Sequence, residues 1–200
     1  MDEADTRLLD GSAWRGFCER LGEAGALILS EKAPRDELTV AEGYRYLSRL
    51  LRGGLESFIE FGDPLFPRFR CPAHETIKLG ADNPDNRYES CTVDPAHDYL
   101  ITGTRGTVDY LGFGAVINRY ASGGTMETTG YIDARDMSIG SDGRFELVVS
   151  QHEHAGNWLR MNPETNSINV RPVSYTHLRA HETVLDLVCR LLLEKKKSNK

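Results

Sequence analysis

The side chains with the most chemical potential gather in a few short stretches. Near the carboxyl end, in VSYTHLRAHETVLDLVCRLLLEKKK, His177 and His181 stand four residues apart with Glu182 beside them. On a helix that spacing would put both imidazoles on one face, as two ligands of one metal require. A third ligand is missing, however, and the Glu does not lie between the histidines as it does in His-Glu-x-x-His, where it acts on a metal-bound water. No metal is expected there. The second stretch, HETIKLGADNPDNRYES, sets Asp82, Asn83, Asp85 and Asn86 around Pro84. Such residues build Asx turns, because their oxygens accept from nearby backbone amides. The same oxygens could meet a polar ligand, or calcium if the regular Asp-x-Asp-x-Asp-Gly spacing and distal Glu were present, which they are not. The turn is the first reading and ligand contact the second.

Other candidates are weaker. His74 and Glu75 could act as acid and base, since His titrates near neutrality, although a surface pair is the commoner use. Arg87 and Arg105 carry planar donor forks suited to a carboxylate or phosphate, and pairing with local acids competes with that role. Asn157 and Trp158 follow Gly156 and could offer a sugar-stacking edge, against the alternative of a core tryptophan. His152 and His154 alternate at an expected strand end and are too few for a metal site. There is no Gly-x-Ser-x-Gly elbow and no phosphate-binding loop of the Walker type. GFG at 112–114 lies in a strand-like run and lacks the following helix that a dinucleotide site needs. The expected ligand-binding set is therefore Asp82, Asn83, Asp85, Arg87, Arg105 and Trp158 at one edge of the fold, with no cofactor and no metal, and no reaction is identified.

Two kinds of element must position these residues. A first helix is expected after Ser12 as N-cap, running from Ala13 towards Glu23, with Trp14, Phe17, Cys18 and Leu21 at helical spacing and Gly25 as a stop. A longer second helix should start at Thr39, with Glu42 completing a capping box and an apolar stripe of Val40, Tyr44, Leu47, Leu51, Leu55, Phe58 and Ile59 that wants a partner surface. Gly53 and Gly54 should each weaken it by about 1 kcal/mol relative to Ala, while leaving room for close packing or a kink. The proline-rich GDPLFPRFRCP then marks a linker. Beyond it, strands are expected at 87–93, 98–103, 108–117, 145–151 and 167–171, with reversals at Asp94-Pro95, Arg105-Gly106 and Asp142-Gly143. No helix-length segment separates successive strands, which excludes a Rossmann sheet and points to an antiparallel sandwich, jelly-roll-like. The fold class is α+β: a helical region over 1–63, a β-sandwich over 64–172 that is incomplete, and a tail over 173–200.

The chain has 200 residues, 40% hydrophobic and 27% charged, as in a folded domain. It holds no apolar run of the length, about 20 residues, that a membrane-spanning helix needs. Acids rather than a basic, then apolar, run open the sequence, so export is not indicated and a cytoplasmic setting is expected. The cysteines, Cys18, Cys71, Cys91 and Cys189, form no Cys-x-x-Cys pair. Net charge is −6, no footprint for nucleic acid.

The tail carries a resemblance of its own. Back-translated, VSYTHLRAHET resembles the transposon mosaic end and adapter of short-read sequencing libraries, and LVCRLLLE the adapter's flow-cell end. Val184, Leu185 and part of Asp186 then stand where the sample index lies, and Lys195 to Lys197 resemble a poly-adenine run. The segment is expected to be non-native and to supply no strand of the sandwich. It holds six basic and three acidic side chains, so the rest of the chain carries −9 instead of −6. At LGADNPDNRYES, YLITGTRGTVDYLGFG, DGRFELVVS and GNWLRM, and in the helical AEGYRYLSRLLRGGLESF, the sequence resembles the bacterial Domain-of-Unknown-Function family twelve-fourteen, often found with family twelve-fifty-four. The resemblance implies a β-rich fold that continues past INVR, hence an amino-terminal fragment, unstable alone, and it brings no settled activity. Two functions follow as expectations: binding of a polar small molecule or glycan, as part of an enzyme or not, or a non-catalytic domain whose helices bind a partner protein.

Overall fold

A computed structural model describes residues 3–79, 87–108, 110–120, 122–173 and 186–192. Three α-helices come first: α1 (Glu3–Leu9), α2 (Ser12–Ala26) and α3 (Glu37–Leu55). Strands follow: β1 (Glu89–Thr92), β2 (Asp98–Thr104), β3 (Tyr110–Asn118), β4 (Met126–Asp133), β5 (Arg144–Ser150), β6 (Trp158–Arg160), β7 (Ser167–Val173) and β8 (Asp186–Leu192). They form two four-stranded sheets, ordered β1-β7-β3-β4 and β6-β5-β2-β8. The fold is α+β with a sandwich-like arrangement. Every pairing is antiparallel except the short β5–β6 contact, which is parallel.

The strands alternate as a two-layer core demands, with Tyr99 and Ile101 of β2, Phe113 of β3, Leu147 and Val149 of β5, and Ile168 and Val170 of β7 wholly buried. Phe113 from one sheet meets Phe145 from the other edge-on, ring centres 5.6 Å apart. β3 is buried along most of both faces, and its register against β4 shifts between Ala115 and Val116, where Thr129 is the extra residue on β4. The Asp142-Gly143 reversal forms as expected: Gly143 has φ of 81°, a conformation glycine takes without strain, and its carbonyl accepts from the Arg105 N–H at 2.9 Å.

Helix boundaries differ from the expected ones for identifiable reasons. Ser12 is not the cap of α2: its N–H donates to Asp10 Oδ1 at 2.7 Å, and Gly11, at φ 73°, becomes the N-cap one residue earlier. Thr39 is not the cap of α3 either. Asp36 takes that place, accepting from the Thr39 N–H at 3.0 Å and the Thr39 hydroxyl at 2.7 Å, so the helix starts at Glu37. Glu42 pairs with Arg45 at 2.6 Å instead of closing a capping box. Gly53 and Gly54 do not break α3, which continues to Leu55 and ends in a π turn over Glu56–Glu60. The sequence pattern alone did not point to α1, β4 or β6.

The tail brings the largest correction. Residues 186–192, expected to supply no strand, form β8 and pair along the whole of β2, from Asp98↔Leu192 to Thr104↔Asp186. An open row of backbone donors and acceptors favours any extended apolar segment that can reach it, whatever its origin. His177, His181 and Glu182 lie outside the described residues.

The helices do not lie across a sheet. They meet the sandwich through the loop between Arg70 and Ile77: a Cβ on Gly53 would come within 3.2 Å of Ile77 Cγ2, and Ile77 is buried beneath it. Arg52 reaches His74 Nε2 and Thr76 Oγ1, each at 3.4 Å, and pairs with Glu56 at 3.1 Å. Within the helical region, Gly25 faces Leu47 and Gly43 lies tightly against Ile28, which sets α2 close to α3. Tyr99 ties the linker down: its hydroxyl accepts from the Asp94 N–H at 2.7 Å and lies 3.2 Å from the Pro64 carbonyl, to which it can donate.

Candidate functional site

Of the six residues expected to form a site, Asp82, Asn83 and Asp85 lie outside the described residues. The other three do not converge. Arg87 precedes β1, at one edge of the first sheet, where its side chain pairs with the shielded Glu89 carboxylate at 2.7 Å. Trp158 starts β6, at an edge of the second sheet, and β6 packs beside β4, at the far side of the first sheet from β1. Strands sit about 4.8 Å apart, so the three steps from β1 to β4 alone separate the two regions by about 14 Å. Trp158 is half-buried and donates from Nε1 to the Ser150 carbonyl at 3.2 Å, which makes it a packing residue of this edge.

Arg105 follows β2. Its Nε is buried without a hydrogen-bond partner among the described residues, and its charge helps hold the Asp133 carboxyl below the usual carboxylate range. The larger causes are the side chain and backbone of Arg135, which donate to Asp133 Oδ1 and Oδ2 from Nε at 3.1 Å, Nη2 at 2.9 Å and the main-chain N–H at 2.9 Å. This closed fork fixes the short 3₁₀ turn after β4. Beside it the hydroxyls of Tyr110 and Tyr131 hydrogen-bond across the outer face of the first sheet, over Gly112.

The remaining sequence candidates are structural. His74 takes the Thr76 N–H at Nδ1, at 3.3 Å, and faces Arg52 with Nε2, while Glu75 is 3.9 Å away and turned to solvent. His74 thereby helps dock α3. His152 and His154 lie beyond the end of β5 instead of alternating on it. Burial pushes the Cys71 thiol up from its ordinary value, and it lies 2.9 Å from the Ala73 carbonyl, an inert arrangement for a nucleophile. Among the described residues no group of three His, Cys, Asp or Glu side chains could hold a metal ion.

One cavity was not foreseen. An open groove of about 640 Å³ runs over the outer face of the second sheet. Leu100 and Val148 give it an apolar floor, and Thr102, Ser138, Arg144 and Glu146 supply polar walls. Asn157, considered above for a sugar edge, stands in its wall with both amide roles committed: it donates to the Ser138 and Glu146 carbonyls and accepts from the Ser138 N–H at 2.7 Å. It positions the wall and leaves ligand contact to its neighbours. Leu100, Thr102, Thr104 and Arg144, Glu146, Val148 alternate on the outward faces of the paired strands β2 and β5; the sequence pointed to both strands but not to their pairing or to the loop that walls them in.

A second surface lies on the helical region. In α1 and α2 no residue is buried, and in α3 only Gly53 is. Trp14 is 68% exposed, Leu27 71%, Phe58 72% and Ile59 71%. Large apolar side chains left open on this scale mark surfaces that meet something else.

Comparison with known proteins gives a fold and no activity. No family model matches the chain, and no curated protein matches it. Among solved structures, an uncharacterised protein from Burkholderia cenocepacia is similar at 46% identity and a TM-score of 0.86, over 94% of this chain and 51% of that one. The chain thus spans about half the length of this relative. A Vibrio parahaemolyticus protein aligns over 96% of this chain and 46% of its own, at 14% identity and a TM-score of 0.37, too slight a likeness to bear on the fold. Among the described residues no helix is long and apolar enough to cross a membrane.

Proposed function

We propose that the chain is a non-catalytic interaction unit, one portion of a larger β-rich protein, whose helices pack against another polypeptide. The observation that supports this is the open apolar face of α2 and α3 and the turn after α3, set beside a sandwich whose own core is full. The occupant that fits is the part of a longer homologue that this chain does not cover. The relative from Burkholderia has that additional length, and the resemblance to family twelve-fourteen, which implies further sheet-forming sequence, belongs to the same reading. So does the tail over 173–200 as sequence foreign to the protein, and a cytoplasmic setting for the free thiols Cys18 and Cys71.

The test is co-expression of the chain with the uncovered part of the Burkholderia protein, read by size-exclusion chromatography with light scattering. A one-to-one complex that Phe58→Asp with Ile59→Asp abolishes is the expected result. Two monomeric species that ignore each other would sink the proposal, and a dimer of the chain alone would replace this occupant with a second copy.

A second reading keeps the polar small molecule or short glycan, moved to the groove on the second sheet. An apolar floor with hydroxyl, carboxylate and guanidinium walls suits a polyhydroxylated molecule that offers both a flat apolar face and hydrogen-bonding edges. A ligand held only by the native state must raise its melting temperature. A panel of sugars and polar metabolites that leaves the transition unmoved would count against this reading, as would a shift that survives Thr102→Val with Glu146→Gln.

A further inference from the structure

Three of the four sheet edges are protected by the protein itself, if β8 is set aside. β6 is only three residues long. β1 is bridged by Arg70, whose main chain exchanges both hydrogen bonds with Ser90 at 3.1 and 2.9 Å. β4 closes onto the second sheet, where Gly130 lies against the Arg160 carbonyl. Short strands, covering loops and closed seams are the usual defences against a free row of backbone donors and acceptors.

β2 has none of them. Its sequence, DYLITGT, holds no proline, lysine or arginine, its one charge sits at the first residue, and Tyr99 and Ile101 are wholly buried. This is an interior strand, made for partners on both sides. β5 is one of them, in register from Tyr99↔Val149 to Thr104↔Arg144. The other side is filled by β8, a segment that resembles translated library adapter. On that resemblance β8 has no history of matching β2, and it still pairs along the full length of the strand, which makes the backbone row of β2 the feature that sets the pairing.

We propose that the outer edge of β2 is a strand-accepting dock, whose proper occupant is an extended apolar segment from the part of a longer homologue that this chain does not cover. The proposal rests on the reading of the chain as one portion of a larger fold and locates the joint: antiparallel to Asp98–Thr104, with β8 as a stand-in. Main-chain hydrogen bonds give such an added strand its affinity, and the pleat fixes which of its side chains turn inward.

The test uses the full chain and, as probe, the synthetic peptide Asp-Leu-Val-Cys-Arg-Leu-Leu. Val188→Pro with Cys189→Pro removes the N–H from two consecutive residues, one of which must face β2 because amide directions alternate along a strand. A second variant replaces 186–192 with a glycine–serine run of equal length. In both, hydrogen exchange of the β2 amides should speed up by about tenfold or more while β3 and β7 stay protected, and the peptide at millimolar concentration should restore the protection. Unchanged exchange in β2 would overturn the proposal, because β8 would not be what covers the edge. Opening without rescue by the peptide would overturn it as well. Loss of protection in β3 and β7 in both variants would show β8 to be an integral strand of the sandwich, and the dock would then be ruled out. Rescue by the peptide, together with no complex between the chain and the uncovered part of the Burkholderia protein, would keep the dock and remove the proposed occupant.

Discussion

The sandwich and the helical region contain apolar residues in comparable proportion and put them to opposite use. In the sandwich, Tyr99, Phe113, Leu147, Leu159 and Ile168 are out of solvent altogether. In the helical region, Trp14, Leu27, Phe58 and Ile59 face solvent, and α3 lies close to α2 at Gly25 and to the turn after α2 at Gly43. The difference is one of partners. Each sheet covers the other's inner face, so the strands satisfy their own pattern, whereas two helices and a short third cannot cover a stripe that runs the length of α3. An amphipathic helix draws its stability from the surface it packs on, and this one docks chiefly through Gly53, Arg52 and the loop carrying His74 and Ile77.

The contrast breaks or sharpens under substitution. Leu147→Ala should cost about 2–5 kcal/mol, since it opens a cavity between the sheets, while Phe58→Ala in the isolated chain should stay within about 0.5 kcal/mol. Urea denaturation followed by circular dichroism checks both, and comparable losses at the two positions would erase the distinction. Gly130→Val tests the seam between the sheets: its Cβ would stand 2.1 Å from the Arg160 carbonyl oxygen. That clash should cost about 1–3 kcal/mol. Gly54→Ala is its counterpart in the helical region, with nothing within 4 Å of the added methyl. It should raise helix stability by up to about 1 kcal/mol, visible as a later helical transition on heating.

Tyr99→Phe probes the link between the two regions. Losing the hydroxyl that takes the Asp94 N–H and reaches the Pro64 carbonyl should cost about 1–2 kcal/mol. It should also make the linker more sensitive to protease, whereas an unchanged cleavage pattern would show that the sandwich does not hold the linker through this residue. The smallest effect is expected in acid. The Arg135 fork holds the Asp133 carboxyl low, so its contribution to stability is complete above the ordinary carboxylate value and is lost as pH falls through the depressed one. Asp133→Asn should flatten that part of the stability–pH curve without changing stability differences between pH 6 and 8.

How much of this was legible in the sequence depends on the range of the interactions involved. Five strands and their reversals followed from β-branched and aromatic runs bounded by Asp94-Pro95, Arg105-Gly106 and Asp142-Gly143, because strand pattern and turn chemistry are local. β4, METTGYID, was hidden: it is an exposed edge strand whose order comes from pairing with β3. The three residues of β6 were hidden as well, since they are held by β5 and the seam with β4. Both helix caps were misplaced, the first by one residue and the second by three: Asp10 takes the Ser12 N–H and leaves Gly11 as the cap of α2, and Asp36 takes the Thr39 N–H and caps α3 itself. The groove could not be read from motifs, for it is made of outward strand faces closed by a loop that Asn157 anchors. Arg87, Arg105 and Trp158 looked alike as ligand-binding types, but strand order alone decides whether they meet, and it separates Arg87 from Trp158.

The most direct measurement of the contrast between a completed core and an uncovered face is native-state hydrogen exchange on the isolated full chain. Amides of β3 and β7 should exchange only through global unfolding, while those of α1 and α2 should exchange through local opening at far lower free energy. Equal protection in α2 and β3 would contradict the account, because it would show the helices to be as well supported by this chain alone as the sandwich is.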